Sequence, residues 1–215
     1  MGQGELSPDT MRHVHAMSNE QRNANDEQRT IRAFIAFEIS DEARTEISRV
    51  EKELKASDTD VKWVAPALMH LTLKFLGNVQ QEDIQKLSGC LDGIAAVSAA
   101  FDAVLHDLGV FPGWDHPKVV WVGLSEGAHR MTEVASMAEE AMETEGFAKE
   151  DRRFSPHITI GRVRTDKNKD KLKKISENII INPACSRISR IVLFKSELTP
   201  KGSVYTPLHA AEFKG

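Results

Sequence analysis

The chain has 215 residues, of which 40% are hydrophobic and 28% charged, with a formal net charge of −4. This composition is typical of a globular protein with a real core, and the negative charge argues against a protein that wraps a long stretch of nucleic acid. The sequence contains no long apolar run and no apolar N-terminal signal, and Cys90 and Cys185 lack the spacing of a metal or redox site. We therefore expect a cytoplasmic protein with free thiols and no membrane segment.

Residues 1–30 are polar, of mixed charge and almost without periodic apolar positions. They are predicted to form a flexible N-terminal extension. The remaining chain, residues 31–215, is predicted to be one bilobal domain.

Apolar periodicity, capping residues and glycines divide this domain into strands and helices. In chain order the predictions are strand 31–39, helix 41–56, strand 61–64, strand 68–76, helix 82–97, strand 101–108, loop 109–117, strand 119–123, helix 125–144, strand 154–162, helix 166–178, strand 186–196 and strand 204–213. The helix at 125–144 has the clearest apolar stripe, which consists of Met131, Val134, Ala135, Ala138 and Met142. The lysines of 166–178 are interpreted as a solvated helix face. Together these elements predict an α+β fold with antiparallel strands and outer helices.

Two strands carry the same short motif, His70-Leu-Thr-Leu and His157-Ile-Thr-Ile, 87 residues apart. Side chains alternate between the faces of a strand, so each His shares a face with the Thr two residues later, opposite the aliphatic residues. One copy alone would carry little information. Two copies in the same local pattern indicate two similar lobes that each supply a histidine to one cleft.

These motifs resemble those of the two-histidine (2H) phosphoesterases, and most closely the RNA 2′,3′-cyclic phosphodiesterases, also called LigT-like proteins or 2′-5′ RNA ligases. The resemblance covers about residues 31 to 213. The stretches that carry it are Arg32–Phe37, His70–Gly77, Phe111-Pro112 with Val119–Gly123, His157–Arg162, and Leu193–Leu198 with Gly202–Tyr205.

The resemblance implies two pseudo-symmetric lobes, each with an antiparallel sheet and outer helices, flanking a central groove. It also implies opening of an RNA 2′,3′-cyclic phosphate to a 2′-phosphate, with His157 as proton acceptor and His70 as proton donor. Thr72, Thr159 and Arg162 are the candidate substrate-binding residues. Arg162 has the opposite strand parity from Thr159, so it reaches the site only if Gly161 carries a kink or bulge.

The residue types suit this chemistry. Phosphodiester cleavage needs a base for the nucleophile and an acid for the leaving oxygen, and histidine can serve as either near pH 7. Threonine hydroxyls can donate to non-bridging oxygens, and a guanidinium stabilises charge that gathers there. We therefore expect no metal and no cofactor. The expected partners are RNA ends with a 2′,3′-cyclic phosphate or small cyclic nucleotides, and the expected state is a monomer.

Several alternatives remain open from the sequence. His70 and His157 could bind zinc with a third histidine such as His116 or His209, although no ligand spacing supports this. The groove could also belong to a non-catalytic module that binds RNA ends or cyclic nucleotides, or to an enzyme for another cyclic or 2′-5′-linked nucleotide. The aromatic residues that could stack on a base are Phe111, Trp121 and Trp63.

Overall fold

The structure is a computed structural model that describes residues 30–200 and 202–214. The extension predicted at residues 1–30 lies outside the described residues, except for Thr30. The helices are α1 Asp41–Leu54, α2 Ile84–Val97, α3 Ala128–Thr144 and α4 Lys169–Ser176. The strands are β1 Thr30–Glu38, β2 Val61–Trp63, β3 His70–Gln80, β4 Phe101–Phe111, β5 Val119–Glu126, β6 Ile158–Val163, β7 Cys185–Ile188, β8 Arg190–Thr199 and β9 Gly202–Glu212.

The strands form an antiparallel sheet in the order β7-β4-β5-β6-β3-β1-β8-β9, with β2 paired to β6. We call β3, β1, β8 and β9 lobe 1, and β7, β4, β5, β6 and β2 lobe 2. The lobes meet between β3 and β6, which pair through one residue from each strand, Leu71 opposite Ile158. The predicted α+β, two-lobed architecture is confirmed, and the two sheets are continuous through this pair.

The helices cover the sheet through apolar stripes. The stripe predicted on α3 is buried as expected, and α3 packs against α2 and contacts both β3 and β5. The Ser40 hydroxyl caps α1 by accepting from the Ala43 N–H at 3.0 Å. Helix α1 contacts β7 and α4 in lobe 2, whereas α2 packs on β8 and β9 in lobe 1. The main core therefore lies between the helices and one face of each lobe, and a smaller cluster of Phe34, Ala36, Val192 and Phe194 is buried on lobe 1.

Some predicted boundaries are wrong where a glycine was interpreted as a break. Strand β3 continues past Gly77 to Gln80, because Gly77 adopts φ +69° and still pairs with Ala33. Strand β4 runs through Gly109, where a Cβ would overlap the Trp121 ring. The strand therefore uses these glycines for a left-handed backbone and for a close approach.

Other boundaries are displaced by tertiary pairing. Residues 125 and 126 extend β5, and α3 starts after Gly127, which has φ +77°. The stretch predicted as one strand at 186–196 is divided at Ser189. Strand β7 pairs with β4 in lobe 2, whereas β8 pairs with β1 in lobe 1. The chain therefore crosses between lobes within a stretch that contains no glycine or proline.

Candidate active site

The two motifs lie side by side at the junction of the lobes. Leu71 and Ile158 are opposite each other and are buried at 1% and 0% exposure. Extending this antiparallel register by one residue in each direction places His70 opposite Thr159 and Thr72 opposite His157. These four side chains therefore lie on the face of the sheet opposite to the buried Leu71 and Ile158 side chains. The structure thus brings both histidines and both threonines to one face of the sheet.

Each histidine ring is held by the same hydrogen bond. Nδ1 of His70 lies 2.7 Å from the carbonyl oxygen of Leu68, and Nδ1 of His157 lies 2.7 Å from that of Ser155. A carbonyl only accepts, so Nδ1 is the protonated nitrogen in both rings. In the neutral ring Nε2 is then an acceptor, and in the charged ring it is a donor. Each histidine therefore has one nitrogen for orientation and one for proton transfer.

Burial lowers the pKa of both histidines below the ordinary value of 6.5. The bond to the Leu68 carbonyl opposes this shift in His70, and a charge on His157 lowers the pKa of His70 further. For His157 the Ser155 carbonyl opposes the shift, and the Arg162 guanidinium lowers the pKa further. A state with both rings charged is therefore disfavoured, and both shifts favour the neutral form of each ring.

A cavity of about 770 Å³ opens beside the motifs. Thr72, His157, Thr159 and Arg162 line it. Within the described chain neither threonine hydroxyl has a recorded hydrogen-bond partner, so both can donate to a bound oxyanion. His70, opposite Thr159 in the extended register, contacts the rings of Phe34 at 4.8 Å and Tyr205 at 5.3 Å between centroids.

Arg162 reaches the cavity because β6 contains a bulge. Val120 is opposite Gly161 and the next residue, Trp121, is opposite Thr159, so Ile160 is the extra residue. The bulge reverses the strand parity and places Thr159 and Arg162 on the same face. At Gly161 a Cβ would lie 2.6 Å from the Val61 side chain, so the residue must be small where β2 crosses the bulge.

The candidate aromatic residues have different environments. Phe111 lines the cavity, contacts the His157 ring edge-on at 5.0 Å and stacks on Trp121 at 5.1 Å. Trp121 lies over the backbone of Gly109, and Trp63 packs on Gly161 away from the cavity. Of the three, Phe111 is the one placed to contact a ligand beside His157.

Sequence reasoning missed a buried lysine next to the first motif. The Lys74 side chain is 1% exposed, and its Nζ donates to Glu139 Oε2 at 2.7 Å and to the Ala148 carbonyl at 2.8 Å. The same carboxylate oxygen accepts from the Glu150 N–H at 3.3 Å. Strand β3, helix α3 and the segment before His157 are thereby tied together. A lysine inside an apolar strand was the sequence signal for this contact.

The histidines considered as a third zinc ligand, His116 and His209, lie elsewhere. His116 Nδ1 is 3.6 Å from Asp166, and His209 Nε2 is 2.8 Å from Asp92 on α2. Across residues 30–200 and 202–214, no group of three or more His, Cys, Asp or Glu side chains is arranged to hold a metal. The lysines of α4 also do not line the cavity. In the described helices, none is long and apolar enough to cross a membrane.

Known proteins share both halves of this arrangement. The model of the LigT-like phosphoesterase family matches the chain twice, over residues 37–121 and 122–205, with one motif in each match. An RNA 2′,3′-cyclic phosphodiesterase of Methanothermobacter thermautotrophicus is 32% identical over 83% of this chain and 96% of its own length. Its counterpart in Thermotoga maritima is 31% identical over 86% and 97%.

Solved structures agree with the sequence relatives. TT0787 of Thermus thermophilus superposes with a TM-score of 0.71 at 25% identity, and E. coli LigT complexed with 3′-AMP does so with 0.69 at 26%. Each comparison covers 86% of this chain and 99% of the other. The resemblance drawn from the motifs is confirmed, and the chain belongs to the LigT-like phosphoesterase family.

Proposed function

We propose that the protein hydrolyses 2′,3′-cyclic phosphate ends of RNA to 2′-phosphomonoesters, using His70 and His157 as acid and base without a metal. The observation that carries this proposal is the pair of histidines at the lobe junction, each with Nδ1 fixed by a carbonyl and Nε2 left for proton transfer. The names of the relatives from M. thermautotrophicus and T. maritima support the substrate class.

The reaction is an in-line displacement at phosphorus. His157 Nε2 accepts a proton from water as the water oxygen bonds to phosphorus. The bond from phosphorus to the 3′-oxygen breaks, and His70 Nε2–H protonates that oxygen. The phosphate remains on the 2′-oxygen. Thr72, Thr159 and Arg162 bind the non-bridging oxygens, where negative charge gathers.

Arg162 supports this assignment of roles. Its charge lowers the pKa of His157, which favours the neutral ring that a general base requires. A neutral His157 in turn removes its charge effect on the pKa of His70. The bound phosphodiester adds a negative charge that favours the protonated form of His70. With a 5′-hydroxyl in place of water as the nucleophile, the same groups would open the cyclic phosphate to form a 2′-5′ linkage, which is the reverse of cleaving such a linkage.

The setting of this activity is also part of the proposal. We infer a monomeric enzyme that acts in the cytoplasm on free RNA ends. The support is the complete site within one chain, because both motifs come from the same sheet.

The deciding experiment is turnover of an RNA ending in a 2′,3′-cyclic phosphate, in the presence of EDTA. His70→Ala and His157→Ala should each lower kcat by about 10²–10⁴-fold, the usual contribution of one general acid or base. His116→Ala, which removes an exposed histidine, is the matched control and should leave kcat unchanged.

The alternatives give different results. Loss of wild-type turnover in EDTA would show that the metal-free mechanism is wrong. Binding of the RNA without turnover would identify a non-catalytic module, and neither binding nor turnover would exclude this substrate class.

A further inference from the structure

The cavity extends well beyond the reacting groups. Its volume of about 770 Å³ is in the upper part of the range of about 300–1,000 Å³ that holds a whole small ligand. Three parts of the chain line most of it: Thr72 to Phe75 on β3, the segment that leads to His157, and helix α3. A cyclic phosphate beside His157 would occupy only part of this space.

Arginines without an ion-pair partner gather at this cavity. Elsewhere in the described chain arginines form ion pairs, as Arg44 does with Asp41 and Arg187 with Asp102. Arg152, Arg153 and Arg162 form none with any described residue, and all three line the cavity. The exception is Arg32, which is also without a recorded ion pair and lies on β1. Unpaired guanidiniums in a shared cavity indicate an anionic ligand.

Arg162 is beside the threonines of the motifs and is assigned to the reacting phosphate. Arg152 and Arg153 line the same cavity from the segment before His157. Arg153 is four residues before His157, which limits their Cα separation to about 14 Å. When the 3′ end of an RNA strand lies at the histidines, Arg152 and Arg153 are therefore within reach of the next phosphate of that strand.

The segment that carries this pair is anchored at both ends. Lys74 binds the Ala148 carbonyl and Glu139 accepts from the Glu150 N–H, while the other end of the segment continues into β6. The arginines are exposed, but the backbone that presents them is held from the core. A fixed backbone reduces the entropy lost when these side chains bind a ligand.

The cavity lining also supplies an aromatic surface. Phe75 is 59% exposed, which is unusual for so large an apolar side chain, and it lines the cavity. Such a ring can stack on any base. Glu139, Glu140 and Glu150 also line the cavity, so we expect the phosphates of a bound strand to lie nearer the guanidiniums than these carboxylates.

We propose that Arg152 and Arg153 form a second phosphate subsite that binds the internal phosphodiester on the 5′ side of the cyclic end, so that the enzyme prefers oligoribonucleotides over nucleoside 2′,3′-cyclic phosphates. This inference rests on the proposed function, because that function places the 3′ end at the histidines. It adds a polymer specificity that the two motifs do not require.

The test compares two substrates in the full-length protein, a nucleoside 2′,3′-cyclic phosphate and a trinucleotide with the same cyclic end. The variant is Arg152→Ala/Arg153→Ala. The matched control is Arg130→Ala/Arg187→Ala, which removes two exposed arginines outside the cavity lining. The cavity variant should lower kcat/KM for the trinucleotide about tenfold, mainly through KM, and leave the mononucleotide unchanged. For the trinucleotide, the slope of log kcat/KM against log salt concentration should be shallower in the cavity variant than in wild type, by about 0.7 for each phosphate that the variant no longer neutralises.

Equal losses of kcat/KM on both substrates, no loss on either, or an equal loss in the control variant would each refute the proposed subsite.

A second measurement distinguishes failure of the subsite from failure of the proposed function. It is the affinity of an unreactive trinucleotide ending in a 3′-phosphate compared with a nucleoside 3′-phosphate. If wild-type protein turns over neither cyclic substrate, the proposed function fails. Selective loss of trinucleotide affinity in the cavity variant would still support the subsite, and unchanged affinity would refute it.

Discussion

The contact between Lys74 and Glu139 predicts an asymmetry between two substitutions. Glu139→Ala removes the carboxylate and leaves the Lys74 ammonium buried with the Ala148 carbonyl as its remaining recorded partner. Lys74→Met removes the buried charge and keeps an apolar side chain of similar length. Glu139, at 20% side-chain exposure, can then be hydrated. We expect the first change to destabilise the protein much more than the second.

The magnitudes follow from this difference in exposure. Breaking a buried ion pair from one side costs about 3–5 kcal/mol, and water access at Glu139 favours the lower limit of about 3 kcal/mol. Replacing the buried ammonium by a well-packed apolar group of similar volume is expected to cost about 1 kcal/mol or less. The double variant should resemble Lys74→Met, because the stranded charge is then absent.

Urea unfolding of the three variants checks this prediction. With an m-value of about 2–3 kcal/mol per molar, Glu139→Ala should lower the midpoint by roughly 1 M, and Lys74→Met by much less. All three should also lose activity, because the contact holds the segment that orients His157. A Glu139→Ala variant as stable as Lys74→Met would refute the reasoning, since it would show that the ammonium is hydrated in the folded protein.

Three further predictions concern charge and packing. Arg162→Met should raise the pKa of His157, so the acid limb of the kcat/KM pH profile should move to higher pH from a wild-type position below 6.5; a shift to lower pH would contradict this. Hydrogen bonds from the Arg49 guanidinium lower the pKa of Glu46 from 4.5 to about 2. The Glu46 carboxylate therefore stabilises the fold above pH 4.5, and this contribution is lost as the pH falls toward 2. Unfolding free energies measured against pH should therefore fall by on the order of 2 kcal/mol more in wild type than in Glu46→Gln over that range. Gly161→Ala should cost about 1–3 kcal/mol in thermal or urea unfolding, because its Cβ would overlap the side chains of β2, whereas Gly89→Ala in α2 meets open space and should be neutral or stabilising.

Local pattern was sufficient for much of the fold. The stripe on α3 follows from a period of 3.6 residues, and the faces of the His-x-Thr motifs follow from a period of 2, because both depend only on bonded geometry. The cap at Ser40 is equally local. The pairing of the two motifs could be anticipated since each has the same environment in its own half of the chain.

The split at Ser189 and the strands that continue through Gly77 and Gly109 were not predictable. Their cause is pairing with strands remote in sequence, and a glycine looks the same whether it ends a strand or serves a bulge. The contacts of Phe34 and Tyr205 with the His70 ring also depend on the tertiary structure. In the sheet, β1 and β8 lie between β9, which carries Tyr205, and β3, which carries His70.

The sequence by itself predicted the candidate site residues: two histidines and two threonines in a repeated strand motif, and an arginine after the second copy. The tertiary structure decided what they share. It set the Leu71–Ile158 pair that joins the lobes, the bulge that turns Arg162 toward Thr159, and the buried lysine that holds the wall of the cavity. The reason is physical: side-chain type and strand parity are local properties, whereas register, burial and the shifts in histidine pKa depend on contacts between segments far apart in the chain.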